Sequence, residues 1–272
     1  MSMHKNQKPE FSIVIVSHNN FSLLERCIRS IYQTQKSEDF EIIVVDNHSQ
    51  ENLGSLKRLF PKIKFTKLKQ NCGFARANNI GISHSKGKFL LFLNSDTEVL
   101  PRSIEALLNF AHQQIKFGAI APKLINLDGT IQASCYRFPT ITGAINEFFL
   151  NKKGSYEKYY PKQTLPLKVD CAVGACLLIQ RELLDRIGGW DEHYFMYYED
   201  IEMGRKIKHL NLDFWYLPQA TIIHAHGKSA SETPELSNKW LKQSSVIYNG
   251  RFKHLLITFI IKTATKLNIY HP

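Results

Sequence analysis

One apolar run decides the fold of this chain, the sequence FSIVIVS at residues 11–17. Polar residues follow it at 18–20, and apolar residues then recur at helical spacing over 21–35. Two more apolar runs of the same kind lie at 41–45 and 88–93. Strands that are apolar throughout and alternate with helices are typical of a parallel sheet covered on both faces. The sequence therefore predicts an α/β fold with a mostly parallel central sheet.

Further elements are predicted between and beyond these runs, and the regular alternation changes after residue 117. The expected helices are 53–60, 71–85 with a glycine-containing loop before it, 101–117, 181–187 and an acidic helix after residue 198. The expected strands are 63–68, 169–180 and 214–217. A basic, aromatic stretch at Lys152–Lys162 is predicted to be a loop or lid, in a region of short strands and turns over 118–180.

The net positive charge of the chain indicates which kinds of binding partner to expect. The 272 residues carry 35 Lys plus Arg against 24 Asp plus Glu, a formal net charge of +11, which favours nucleotides, phospholipid head groups or nucleic acid. The five cysteines are odd in number, and the CxxxxC spacing of Cys171 and Cys176 argues against zinc. Neither a signal-peptide pattern nor an apolar run of about 20 residues is visible. We expect a cytoplasmic protein with free thiols.

Polar residues stand where three of the predicted strands end. They are Ser17-His18-Asn19, Asp46-Asn47 and Asn94-Ser95-Asp96. Ligands of open α/β sheets bind at the carboxyl ends of the strands. A carboxylate at such an end can hold Mg²⁺ or Mn²⁺ against phosphates, although an aspartate there also begins turns, and for Asp46 or Asp96 alone the two readings stay open.

A run of acids forms the second unusual feature. Glu199, Asp200 and Glu202 follow the aromatic residues 195–198. Together with Asp96 and His224 they suit a metal, a pyrophosphate and a proton to be removed. The simpler alternative is that the acids complement the dipole at a helix N-terminus.

Taken in order, the motifs resemble those of the inverting, GT-A-type glycosyltransferases of family two, especially bacterial rhamnosyltransferase-like members. The resemblance covers roughly residues 10–230. The matching stretches are 12–19, 42–47, 71–79, 93–98, 173–175, 188–192, 198–202 and His224-x-x-Gly227-x-Ser229. The resemblance implies a GT-A (Rossmann-like) fold, a nucleotide-diphosphate sugar as donor and Mn²⁺ or Mg²⁺ as cofactor.

The resemblance also implies roles for matching residues on the donor side. The implied donor-binding residues are Ser17, Asn19, Asp46, Asn71, Gly73, Phe74, Arg76, Asn94 and Ser95. Asp46 would accept a hydrogen bond from the base or ribose, and Arg76 would approach the phosphates. Asp96, the last residue of a DxD-like motif, would ligate the metal with His224. Because Asn94 replaces the first acid of that motif, metal binding would rest mainly on Asp96.

On the acceptor side, Asp200 is the candidate general base. Inversion is a direct displacement that needs one carboxylate near the acceptor hydroxyl, whereas a glycosidase needs two flanking the sugar. The implied acceptor-binding residues are Gly174, Ala175, Trp190, Asp191 and Glu199. Glu199 is expected to point elsewhere on the helix than Asp200, and Glu202 is expected to pair with Lys206 one turn later.

The chain divides into two predicted parts. Residues 10–227 form the glycosyltransferase domain, with a nucleotide-binding half over 10–100 and an acceptor-binding half over 101–227. Residues 228–272 form a basic helical extension, whose apolar stretch Phe252–Ile261 suits a helix on anionic lipid. Packing against the domain or a twin subunit, giving a homodimer, explains that stretch equally well. His226 is expected to have a surface role.

The family resemblance and the candidate site residues favour a metal-dependent glycosyltransferase that extends a cell-surface glycan or a lipid-linked acceptor. Rhamnose as the sugar is suggested only by the subgroup resemblance. A sugar-1-phosphate nucleotidyltransferase or a dinucleotide dehydrogenase would need glycines after the first strand, where this chain has His18-Asn19-Asn20. No nucleic-acid-binding motif is recognised. The alternative from another class is a non-catalytic nucleotide-sugar-binding homologue.

Overall fold

The computed structural model describes residues 8–35, 39–225 and 234–270. The strands are β1 (Phe11–Ser17), β2 (Phe40–Asp46), β3 (Lys64–Lys67), β4 (Phe89–Asn94), β5 (Thr97–Val99), β6 (Phe117–Ile125), β7 (Cys135–Tyr136), β8 (Leu167–Val169), β9 (Cys171–Ala172), β10 (Cys176–Gln180) and β11 (Asp213–His224). The helices are α1 (Phe21–Thr34), α2 (Gly54–Leu59), α3 (Phe74–His84), α4 (Ser103–Gln113), α5 (Ile141–Phe148), α6 (Arg181–Ile187), α7 (Glu199–His209) and α8 (Pro234–Lys266).

A nine-stranded mixed sheet forms the centre of the fold. Its order is β3-β2-β1-β4-β10-β6-β11-β5, and β8 pairs with β11. Strands β1, β2, β3, β4, β6 and β11 run in one direction, and β5, β8 and β10 run in the other. The predicted α/β fold with a mostly parallel sheet is confirmed.

Strand β1 shows why the sheet is covered on both faces. Ile13 and Ile15 join the hydrophobic cluster that contains Leu24 and Ile28 of α1. Val14, on the opposite face, joins the cluster that contains Ala75 of α3. Because successive side chains of a strand alternate between faces, one apolar run supplies both layers of core.

Two predicted elements differ from the structure. The helix predicted over 101–117 ends at Gln113, and Phe117 already begins β6. The single strand predicted over 169–180 is instead three short strands with different partners, because β8 pairs with β11, β9 with β7, and β10 with β4 and β6. Asp170 and Gly174 lie between these segments, but the sequence does not reveal which strand each segment pairs with.

The C-terminal helix α8 contains a kink at Gly250, where φ is 73° and ψ is 159°. Beyond the kink, Ile257 and Ala264 pack against Ala144 and Phe148 of α5. The predicted helical tail is therefore present and rests on the domain. None of the described helices combines the length and apolarity that crossing a membrane requires.

Helix α7, which carries the acidic run, lies close to β9 because residue 204 is a glycine. A Cβ added at Gly204 would lie less than 3.0 Å from Cys171 Cβ and 2.8 Å from the backbone oxygen of Asp170. Only a residue without a side chain permits this approach, which sets the position of the N-terminus of α7.

We expect the substitution Gly204→Ala to lower the free energy of unfolding by about 1–3 kcal/mol, because the methyl group overpacks a closed contact. Urea unfolding followed by circular dichroism measures this. The control is Gly54→Ala at the start of α2, where an added Cβ meets only the side chains of Asn52 and Arg58. Equal stability of the two variants would contradict the packing described for α7.

Candidate active site

A cavity of about 300 Å³ opens at the carboxyl ends of β1, β2 and β4. Its lining residues are Val16, His18, Asn20, Asn47, Asn71, Phe74, Asn94, Ser95, Asp96, Gln132, Ala133, Tyr136, Lys158, Val173, Gly174, Ala175, Met196, Tyr197, Glu199, Asp200 and His224. This is the edge of the sheet at which the polar strand ends were predicted to gather. Among the predicted site residues, the cavity brings together Asn71, Phe74, Asn94, Ser95, Asp96, Gly174, Ala175, Glu199, Asp200 and His224.

A chain of buried hydrogen bonds joins the ends of β1 and β4. The Ser17 hydroxyl donates to Asn20 Oδ1 at 2.5 Å, and Asn20 Nδ2 donates to Ser95 Oγ at 2.6 Å. Ser17 thus lies behind the cavity wall rather than in it, and Asn20, which the sequence did not single out, lines the cavity.

Asn19 and Asp46 hold the loops at the same end of the sheet. Asn19 has a left-handed backbone, with φ of 49°, and its Oδ1 accepts a hydrogen bond from the Gln50 N–H at 2.8 Å. Asp46 is buried, accepts from the Ser49 N–H at 2.8 Å and lies 3.7 Å from Lys67 Nζ. Neither residue lines the cavity, so their predicted donor-binding roles stay predictions.

The loop before α3 closes one side of the cavity. Asn47 Nδ2 donates to Asn71 Oδ1 at 2.9 Å, and Asn71 Oδ1 also accepts from the Gly73 N–H at 3.0 Å. Gly73 has φ of 84°, and a Cβ there would lie less than 3.0 Å from the backbone oxygen of Phe195. Glycine therefore lets this loop meet the segment that precedes the acidic helix.

Phe74 is the aromatic side chain of this wall, and Trp190 supports it from behind. The two rings meet edge to face with centroids 5.5 Å apart, and Trp190 is buried against Phe92 in the same way. Trp190 does not line the cavity. Nor does Arg76, whose Nε lies 3.8 Å from Glu192 Oε2. The predicted binding roles of these two residues stay predictions.

Asp96 and His224 meet in the cavity although they are far apart in sequence. His224 Nε2 lies 3.3 Å from Asp96 Oδ1, and both side chains are almost fully buried. The pairing of β5 with β11 places them side by side, because Thr97 is opposite His224 in the register. The predicted pair is thus brought together.

Gln132 sets the orientation of the His224 ring. Its Nε2 donates to Asn126 Oδ1 at 2.8 Å, so its Oε1 faces His224 Nδ1, 2.7 Å away. Because Gln132 Oε1 can only accept, His224 Nδ1 donates to it, and Nε2 is the ring nitrogen that faces Asp96. A carboxylate oxygen and a ring nitrogen that face each other are two atoms that a shared cation could bind.

The acidic helix begins directly at the cavity. Tyr197 and Tyr198 both have φ of 69°, and this double left-handed step turns the chain so that α7 starts at Glu199. Glu199 and Asp200 both line the cavity. The expectation that Glu199 points elsewhere was wrong, because the cavity lies at the end of the helix, where the first two side chains can both reach it.

Asp200 is held by backbone donors. Its Oδ1 accepts from the Ile201 N–H at 2.8 Å, and its Oδ2 accepts from the Gly174 N–H at 3.3 Å. Burial raises the pKa of Asp200 to about 6, against the opposing effect of these N–H groups and of Lys158. Burial, followed by the charge of Asp200, raises the pKa of Glu199 well above its usual value. The two carboxyl groups therefore share one buried site, in which both pKa values lie above the range of an exposed carboxyl.

Glu202 has a different partner from the predicted one. Arg205 Nη2 lies 2.5 Å from Glu202 Oε2, whereas Lys206 Nζ donates to the backbone oxygen of Ile187 at 3.4 Å. The predicted Glu202–Lys206 pair was wrong, because Lys206 turns toward the end of α6. Lys206 also lies 4.0 Å from Asp191, whose carboxylate binds His193 Nδ1 at 2.7 Å. Asp191 does not line the cavity, and its acceptor role stays a prediction.

Comparison with known families identifies the chain. Residues 12–188 match the family model described as "Glycosyl transferase family 2". The chain belongs to glycosyl transferase family 2. It is therefore a glycosyltransferase, a class that uses nucleotide-sugar donors.

Curated relatives of this glycosyltransferase include two bacterial rhamnosyltransferases. It is 25% identical over 241 residues to the N-acetylglucosaminyl-diphospho-decaprenol L-rhamnosyltransferase of Mycobacterium tuberculosis, covering 82% of this chain and 78% of the relative. It is 25% identical over 252 residues to the rhamnosyltransferase WbbL of Escherichia coli K12, covering 88% of this chain and 92% of the relative.

Solved structures share the GT-A fold. The mannosyltransferase PcManGT from Pyrobaculum calidifontis, in complex with GDP-Man and Mn²⁺, aligns with a TM-score of 0.63 and 18% identity, over 96% of this chain and 74% of that one. GalNAc-T7 with UDP, GalNAc and Mn²⁺ aligns with a TM-score of 0.65 and 18% identity. That alignment covers 95% of this chain but only 55% of GalNAc-T7.

The spacing of Asp96 and His224 fits two ligands of a divalent cation. Among the described residues, no group of three or more His, Cys, Asp or Glu side chains could hold a metal alone. Mg²⁺ and similar ions are commonly held by one or two protein ligands plus substrate phosphates, and two adjacent ligands of an octahedral ion lie about 3 Å apart. The 3.3 Å between Asp96 Oδ1 and His224 Nε2 matches that spacing.

Several lining residues were missed from the sequence. Asn20, Asn47, Gln132 and Lys158 all contribute polar atoms to the cavity. Asn47 belonged to a predicted polar strand end, Asn20 directly follows another, and Lys158 belonged to the predicted loop or lid. Their positions in the sequence could therefore have identified them. Gln132 belongs to no recognised motif. His226, Gly227 and Ser229 lie outside the described residues.

We expect the substitution Gln132→Ala to weaken Mn²⁺ binding about 10- to 100-fold, the usual effect of removing a partner that orients a metal-binding histidine. Titration of free Mn²⁺ by electron paramagnetic resonance, with a nucleoside diphosphate present, measures this directly. Gln114→Ala, at the end of α4 and away from the cavity, is the control. Unchanged affinity in the Gln132 variant would show that His224 needs no such orientation.

Proposed function

We propose that this protein is an inverting, metal-dependent glycosyltransferase that moves a sugar from a nucleotide-diphosphate sugar to a hydroxyl of a glycan or lipid-linked acceptor. The observation that carries the proposal is one cavity lined both by a buried carboxylate–imidazole pair, Asp96 with His224, and by a buried carboxyl group, Asp200. A displacement at the anomeric carbon needs a group that stabilises the leaving diphosphate and a base that takes the proton of the acceptor hydroxyl.

The donor end of the cavity holds the leaving group. Asp96 and His224 would hold Mn²⁺ or Mg²⁺, which would supply positive charge to stabilise the departing diphosphate. Asn94, Ser95, Asn71 and Phe74 line the same cavity and would contact the donor. Ser17, Asn19 and Asp46, at the same end of the sheet, stay proposed as residues that hold the nucleoside of the donor.

The acceptor end supplies the base. Asp200 takes the proton of the acceptor hydroxyl while the acceptor oxygen forms its bond to the anomeric carbon and the bond to the diphosphate oxygen breaks. The raised pKa of Asp200, about 6, makes it a better base than an exposed carboxylate and leaves it ionised at neutral pH. Glu199 lines the cavity beside it and is placed to hydrogen-bond a sugar hydroxyl. Gly174 and Ala175 complete this wall.

The names of the relatives suggest the substrates. The mycobacterial relative is named for an N-acetylglucosaminyl-diphospho-decaprenol acceptor and for L-rhamnose, and the E. coli relative is also named a rhamnosyltransferase. Both solved structures contain Mn²⁺, with GDP-Man in one and UDP in the other. We therefore propose rhamnose as the transferred sugar and a cytoplasmic reaction. The free thiols of all five cysteines fit a reducing compartment.

We expect Asp200→Asn to reduce the rate of transfer by about 10²- to 10⁴-fold, because the variant cannot accept the proton. The measurement is release of nucleoside diphosphate from a panel of nucleotide sugars in the presence of acceptor. Thermal shifts with nucleoside diphosphate and Mn²⁺ should stay as in the wild type, because the variant keeps the donor site.

The matched control is Asp213→Asn, which removes a carboxylate at the start of β11 that pairs with Lys168. It should transfer at the wild-type rate. Undiminished transfer by the Asp200 variant would remove Asp200 as the base. Nucleotide binding without turnover in the wild type, for every donor tested, would favour the non-catalytic homologue instead.

A pH profile tests the same carboxyl group. Because the base must be ionised, kcat should fall about tenfold per pH unit below the pKa of about 6 and level off above it. A plateau that extends down to pH 4.5 would contradict a base with a raised pKa.

The free energy of unfolding should also depend on the ionisation of Asp200, but it should fall as the pH rises, whereas kcat rises. Because the pKa of Asp200 rises on folding from 3.8 to about 6, the folded state binds more protons than the unfolded state between these values. The wild type therefore loses stability as the pH rises through this window. Asp200→Asn should be more stable than the wild type at pH 7.5, and the difference should disappear near pH 4.

A further inference from the structure

The second half of α8 has two opposite faces. At about 100° per residue, Ile257 and Ala264 point to one side of the helix, and Phe252, Leu255 and Phe259 point to the other. The first pair is buried against α5. The three residues of the second set are 76%, 64% and 68% exposed.

The face of α8 that carries Ile257 and Ala264 is already packed against the domain. Besides the contact with α5, Lys253 Nζ donates to the backbone oxygen of Pro139 at 2.6 Å, and the ring of Tyr270 lies 4.7 Å from that of Phe148. The helix is therefore fixed on the domain with Phe252, Leu255 and Phe259 turned outward. Packing within the described chain does not explain these three side chains.

Cations flank the apolar residues on the same side of the helix. Arg251, Lys262 and Lys266 are exposed and share the stripe of Phe252, Leu255 and Phe259 at helical spacing. No acidic residue occurs from Arg251 to the end of the chain. A helix with aromatic and aliphatic residues in a strip and basic residues beside it is the type that lies in the interface of an anionic bilayer.

We propose that these six residues, which we call the α8 outer face, dock on the surface of an anionic lipid bilayer. Phe252, Leu255 and Phe259 enter the head-group region, and Arg251, Lys262 and Lys266 contact lipid phosphates. The proposal deepens the proposed function by naming the surface on which a lipid-linked acceptor is met. It rests on that function only for the identity of the acceptor.

A second copy of the chain fits this face less well. A two-fold contact would bring the three cations of one copy against the same three of the other, with no acid on the stripe to offset them. The net charge of +11 adds to that repulsion. Three apolar side chains also bury far less than the roughly 1,200–2,000 Å² typical of a stable interface. Anionic lipid has the complementary charge.

The same helix supports the wall of the active site. In its first half, the Ser244 hydroxyl donates to the backbone oxygen of Met196 at 2.8 Å, and the ring of Trp240 lies 4.7 Å from that of Phe195. Met196 and Tyr197 line the cavity beside Asp200. Docking through α8 would therefore hold the acceptor side of the cavity in a fixed relation to the bilayer that contains the acceptor.

Flotation with vesicles tests the proposal without any nucleotide sugar. The full chain should float with phosphatidylglycerol-containing vesicles at least tenfold more than with pure phosphatidylcholine vesicles, and added salt should reduce the bound fraction. The triple variant Phe252→Ser, Leu255→Ser and Phe259→Ser should lose at least tenfold in partitioning. The variant Arg251→Gln, Lys262→Gln and Lys266→Gln should lose the preference for the anionic lipid.

The matched control replaces three exposed apolar residues elsewhere, Leu59, Ile115 and Leu165, with serine. It should float as the wild type does. Thermal melting of each variant shows that the fold is retained, since the altered side chains of the outer face are exposed. Transfer to a short, water-soluble acceptor should be the same for the wild type and both α8 variants.

Three results would overturn the proposal. One is a wild type that does not float, and another is an apolar triple variant that floats as well as the wild type. The third is a wild-type dimer, seen by light scattering, that the apolar substitutions convert to monomer while vesicle binding is absent, since the face would then be occupied by a second copy. Absence of sugar transfer would overturn the proposed function and leave the vesicle result standing.

Discussion

The pairing of β5 with the end of β11 is the contact on which the active site depends. It places Thr97 opposite His224, so that residues more than one hundred positions apart share one wall of the cavity. The turn Asn94-Ser95-Asp96 is fixed on its other side by the bond from Asn20 to Ser95. Asp96 is thus held between two strands, and its distance to His224 follows from sheet register rather than from a flexible loop.

A second constraint acts on the opposite wall. Asp200 begins α7, and its carboxylate is bound to the N–H of Gly174 in the short loop between β9 and β10. Gly204 lets α7 lie against β9, so helix, loop and carboxylate are positioned together. The buried surroundings that fix Asp200 also raise its pKa, which means that the geometry and the basicity of this group have one cause.

The sequence predicted what depends on local pattern. Apolar runs at 11–17, 41–45 and 88–93 gave three strands, and their polar ends gave Asp96 and its neighbours. Contacts between residues that are far apart in the sequence could not be predicted from it. The stretch 169–180 changes its partner strand twice. Gln132 reaches His224 across the sheet, and Lys206 turns to Ile187 instead of to Glu202. Helical spacing predicted that Glu199 points away from Asp200, but both line the cavity. The cavity faces the N-terminal end of the helix rather than one of its sides.

The left-handed backbone of the two tyrosines before α7 is strained. Tyr197 and Tyr198 each adopt a backbone conformation that disfavours residues with a side chain by about 1–2 kcal/mol. The chain holds this strain by bonds from outside the segment, since Tyr198 Oη donates to Ser245 and Ser244 donates to Met196. Helix α8 therefore works as a clamp on a strained segment. The contacts of α8 thus bear on the backbone that leads directly into Asp200.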